Sequence, residues 1–133
     1  MDPGPLVKEQ IDAGATLLAE LEKSIPVAAG FWLKGTDQDS WKFYVTSHRF
    51  EDKDGREARG KALGISVGMH DPNLGPLDVR LIKPSHPLAK AALNYQRLYP
   101  GKVVRLRDRV FGDMGIDEIY LYPAPVAVSE MSS

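Results

Sequence analysis

Four residues could do acid–base or metal chemistry: His48, His70, Asp71 and His86. Histidine titrates near neutrality, so it serves as acid, base or ligand. No two of the histidines stand at tight metal-ligand spacing, and there is no HExxH helix. A site among them requires the fold to bring at least two within hydrogen-bond reach in a pocket. Ser47 precedes His48, but neighbouring strand residues point to opposite faces, and no GxSxG elbow offers a serine nucleophile.

Two loops approach known ion sites and fail on particular residues. Gly55-Arg56-Glu57-Ala58-Arg59-Gly60-Lys61-Ala62 has the glycines and lysine of a phosphate loop. Ala62, however, stands where a hydroxyl must hold magnesium, and Glu51, Asp52, Asp54 and Glu57 surround the approach with negative charge. Asp52-Lys53-Asp54-Gly55 has the look of a calcium loop, but its register puts Phe50 and Lys61 at the first and last ligand positions. No motif implies a cofactor or a metal.

The larger constellation is aromatic and basic: Trp32, Lys42, Tyr44, Arg80, Arg105, Arg107, Arg109, Tyr120 and Tyr122. Rings stack bases and guanidinium groups bind phosphates. The same residue types anchor protein interfaces. Either use requires the nine to share one uncovered face of a sheet, which sets a demand on the elements that carry them.

Those elements are readable from periodicity. Val7, Ile11, Leu17, Leu18 and Leu21 form the stripe of a helix from about Pro5 to Ser24, ended by Pro26. Val27 to Lys34 and Trp41 to Ser47 read as a hairpin across a turn-rich segment. Asp54 with Glu57 resembles a capping box opening a second helix, with Ala58, Ala62, Ile65 and Met69 at helical spacing. Gly60, Gly64 and Gly68 recur every four residues there, which gives one smooth face and leaves 63–69 open to an extended reading. Leu77 to Ile82 is a strand, Ser85 caps a third helix with Pro87 in its first turn, and Pro100-Gly101 stops it. In that helix Leu88, Ala92, Tyr95 and Tyr99 make the apolar stripe. Val103 to Phe111 and Ile116 to Tyr122 form a closing hairpin, with Arg105, Arg107 and Arg109 on one face of its first strand.

The order α-β-β-α-β-α-β-β points to an α+β domain. The expected architecture is a two-layer sandwich: a mixed, mostly antiparallel sheet with its helices on one face. It spans residues 1–123, with 124–133 an unpatterned tail. The chain of 133 residues has no cysteine, no apolar run of membrane-spanning length and no signal-peptide pattern, so the cytoplasm is the expected location. Net charge is −1, yet Arg80 to Arg109 holds eight basic residues against Asp108 alone.

Ile25-Pro26-Val27-Ala28-Ala29-Gly30-Phe31-Trp32-Leu33, followed by Trp41 and Ser47, resembles a widespread set of uncharacterised small bacterial proteins with a leading helix and an FWL…W hairpin. The resemblance implies a bacterial cytoplasmic single domain and supplies no catalytic residue. Together these features predict a non-enzymatic interaction module. It self-associates, or binds another protein, through the aromatic and basic sheet face. A nucleic-acid binder using that face is the alternative, and a small enzyme built on the histidines is the third reading. No membrane partner is expected.

Overall fold

Five consecutive core residues, Ala29-Gly30-Phe31-Trp32-Leu33, decide the architecture. In a strand they alternate between two faces, so an unbroken buried run requires cover on both. The computed structural model describes residues 4–75 and 77–124 and shows that cover. The strand is β1 (Ala29–Gly35), central in a sheet of order β3-β2-β1-β5-β4.

The helix α1 (Lys8–Glu22) buries Ala13, Leu17 and Leu21. The strand β2 (Lys42–Thr46) pairs antiparallel with β1, placing Trp32 opposite Phe43 and Phe31 opposite Tyr44. A 3-10 turn, His48–Phe50, seats Phe50 in the core and leads to the helix α2 (Gly55–Gly68). The strand β3 (Val79–Ile82) then joins β2 in parallel. After the helix α3 (Pro87–Leu98), the hairpin β4 (Val104–Phe111) and β5 (Met114–Leu121) returns β5 to the centre, against β1. The fold is α+β with a mixed, mostly antiparallel sheet, in the order the sequence indicates.

The helices do not share one face. Trp32, Phe43, Val45 and Tyr122 pack with α1 and α2, while Phe31, Leu33, Tyr44, Ile119 and Leu121 pack with Leu88 and Ala92 of α3. The two-layer expectation is corrected to helices on both faces, because the central strands are apolar on both.

Local differences have local causes. Residues 63–69 are helical up to Gly68. Asp54 is the N-cap of α2, yet its side chain makes no capping bond, so the capping box does not form. The N-cap of α3 is His86 rather than Ser85: its Nδ1 accepts the Leu88 amide at 3.1 Å. Leu77 lies before β3 and is exposed. The tail lies outside the described residues except for Ala124.

The β4–β5 hairpin carries one irregularity that matters for the surface. Lys34 is opposite Glu118, but Gly35 is opposite Ile116, so Asp117 is an extra residue in β5. Across from it, Asp108 takes a positive φ of 50°, a conformation aspartate tolerates better than most residues. Arg105 and Arg107 therefore stand opposite Tyr120 and Glu118, whereas Arg109 stands opposite Ile116 of the α3-side core.

Candidate functional site

The nine aromatic and basic residues do not assemble into one uncovered face. Trp32, Tyr44 and Tyr122 are buried. Trp32 lies under α1, where its Nε1 donates to the Gln10 carbonyl at 3.1 Å and to the Tyr122 hydroxyl at 3.2 Å. The Tyr122 hydroxyl in turn donates to the Ile11 carbonyl. Burial pushes the Tyr122 phenol well above its ordinary range, with the Trp32 bond partly opposing the shift. Gly14 makes this contact possible: a Cβ there would collide with the Tyr122 hydroxyl and stand 2.8 Å from Trp32 Nε1.

On the opposite face, Tyr44 stacks on Phe31, with ring centroids 5.2 Å apart. Arg80 is opposite Tyr44, on that same α3 side, and its guanidinium donates to the Leu77 carbonyl at 2.6 Å. Lys42 is opposite Leu33 and pairs with Asp78 at 3.6 Å. The expected common face fails because the covered sheet takes the aromatic rings as core and the strand registers split the basic residues between its sides.

A smaller group remains together on the α1 side. Arg105 donates to Glu118 at 2.8 Å and lies over the Tyr120 ring at 5.4 Å, and Arg107 reaches the other Glu118 oxygen at 3.5 Å. Beside them a cleft of about 290 Å³ is lined by Lys34, Trp41, Arg107, Asp108, Asp117 and Glu118, among others. Lys34 donates to Asp117 at 2.8 Å, and that hydrogen bond holds the Asp117 carboxyl below its ordinary range. Cations and carboxylates here largely satisfy one another.

The histidines are not brought together. His48 and His70 are exposed, His86 is spent on its helix cap, and Asp71 accepts from the Asn73 amide at 2.8 Å. Among the described residues no hydrogen bond joins any two of these four, and no group of acidic or histidine side chains is placed to hold a metal ion. No described helix is long and apolar enough to cross a membrane.

Two surfaces extend beyond the nine residues singled out from the sequence, the second of them bordered by Arg105 and Arg109. The first is the outer face of α2, where Leu63 is 41% and Val67 51% exposed, beside Gly60, Gly64 and Gly68. Among the described residues, a Cβ at any of the three glycines would meet nothing within 4 Å. The four-residue glycine spacing was the signal for this surface, although exposure could not be read from it. The second is a groove of about 540 Å³ between the end of α3 and β4, with Leu98, Tyr99 and Val103 exposed along it. Tyr99, counted in the apolar stripe of the third helix, is 50% exposed because the chain leaves the helix there. Compared with family models, curated proteins and solved structures, the chain matches none.

Proposed function

We propose that this domain is a non-enzymatic interaction module that self-associates through the outer face of α2. The observation that carries the reading is the uncharged, exposed stripe Gly60, Leu63, Gly64, Val67 and Gly68 on a well-formed helix. Each glycine within a helix costs about 1 kcal/mol relative to alanine. Among the described residues nothing offsets that cost, since no atom lies within 4 Å of a Cβ placed at any of the three. A second copy does offset it: two smooth helix faces approach closely, and Leu63 and Val67 leave water. The contact is isologous, so one patch serves both partners. Glu57 and Lys61 flank the stripe with opposite charges able to meet across the twofold axis. Trp32, Tyr44 and Tyr122, expected at an interface, are buried within the monomer.

Sedimentation velocity over a concentration series tests this. The native chain is expected to dimerise, and the double substitution Leu63→Ser with Val67→Ser to give a monomer with an unchanged circular dichroism spectrum. A native chain that stays monomeric throughout, or a double variant that still dimerises, would falsify the reading.

A further inference from the structure

The outer edge of β4 is a further candidate surface, independent of α2. β4 ends the sheet, so among the described residues one side of its backbone has no strand partner. Such an edge offers main-chain donors and acceptors to any extended chain that fits.

Two features set what fits. Arg105, Arg107 and Arg109 lie along the strand, so a second β4 would bring like charges together. The left-handed backbone at Asp108 also turns the strand aside after Arg107, which limits regular pairing to a short stretch. A second copy is thereby disfavoured, while a short segment of opposite charge is accepted.

The two sides of that stretch differ in chemistry. Toward α3, Leu98, Tyr99 and Val103 are 59%, 50% and 43% exposed along the groove. Toward the α1 side stand Arg105 and Arg107, which share the single carboxylate Glu118 and whose side chains are 51% and 71% exposed. Lys102 and Arg109 border the groove, and among the described residues neither pairs with a carboxylate. A strand bound here shows alternate side chains to these two environments.

We propose that the β4 edge and the adjoining α3 groove form a binding site for an extended acidic peptide in which apolar and acidic residues alternate. Its backbone pairs with β4 over Val104 to Arg107, its apolar side chains enter the groove, and its carboxylates meet Arg105 and Arg107. Lys102 and Arg109 hold the flanking acids. The site goes beyond self-association and uses none of its residues.

The test uses the full chain and fluorescent peptides as long as β4, eight residues, alternating Glu with Val or Lys with Val. The Glu peptide is expected to bind at least about tenfold more tightly than the Lys peptide. Leu98→Glu with Val103→Glu should weaken it by about tenfold or more. Both sites are exposed, so the variant should keep the native circular dichroism spectrum and, if α2 self-associates, the same dimerisation. Amide exchange should slow within residues 104–107 when the Glu peptide is bound. Equal affinity for the two peptides, or binding indifferent to the double variant, overturns the proposal. So does a single-stranded oligonucleotide that binds more tightly than the Glu peptide and displaces it, because the arginines then serve phosphates.

Discussion

Tyr122 shows how a single residue can lose an expected role on the surface and gain one in the core. Its ring meets Phe43 edge-on with centroids 5.9 Å apart, and its hydroxyl links Trp32 to the backbone of α1. Burial keeps the phenol neutral and raises its folded-state pKa above the ordinary 10.0. For a raised pKa the linked stability is fully present below the unfolded value and is lost as pH rises from there through the folded value. The native chain should therefore lose stability above about pH 10 faster than Tyr122→Phe does, although the variant is the less stable of the two at neutral pH. Urea unfolding at neutral and alkaline pH checks this, and parallel stability profiles for the two proteins would refute it. An aromatic residue two places beyond Tyr120 reads as outward from alternation alone. What alternation cannot convey is that α1, with Gly14 beneath the hydroxyl, covers that side.

At the scale of elements, helices and strands were legible because their periods are strong and their stops are proline or glycine. Faces were legible only where one side is polar. The sequence Phe31-Trp32-Leu33 is apolar in succession, a pattern of strands buried on both sides, and that pattern already contained the second helical layer. The arginine row misled for another reason: Asp117 is an extra residue in β5 and Asp108, across from it, takes a left-handed backbone, so alternation breaks between Arg107 and Arg109. Helix α2 posed the opposite problem, since its glycines weakened a helical reading that the structure upholds. Their expected consequence is an unusual pairing of effects. Gly60→Ala with Gly64→Ala should stabilise the monomer by about 2 kcal/mol, because the added methyl groups meet only open space, and should weaken self-association by holding the two helices apart. Denaturation midpoints under monomeric conditions, set beside dimer dissociation constants, read both effects. Stabilisation without weaker association would remove the glycines from the interface.

For the whole molecule, the consequence of covering both faces is that two cores share one sheet. Phe31 and Trp32 are adjacent in sequence, fully buried, and lie in different cores. Both tryptophans, Trp32 and Trp41, belong to the α1–α2 side, so their fluorescence reports that core alone. Phe31 sits across the sheet, between Tyr44 and Phe111 on the α3 side. Phe31→Ala opens a cavity there and should cost about 3–5 kcal/mol. If β1 couples the layers, the loss cannot stay on the α3 side: β1 hydrogen-bonds to both β2 and β5, and neither core survives its displacement. The tryptophan transition and the far-ultraviolet circular dichroism transition should therefore shift together to the same lower denaturant midpoint, as for a single cooperative unit. A variant whose tryptophan midpoint stays at the native value while circular dichroism unfolds in two steps would show that the α1–α2 layer holds the sheet without α3. In that case the α3–β4 side would open locally at far lower cost than the rest of the domain, and the peptide groove would belong to a separately folding layer rather than to a rigid edge.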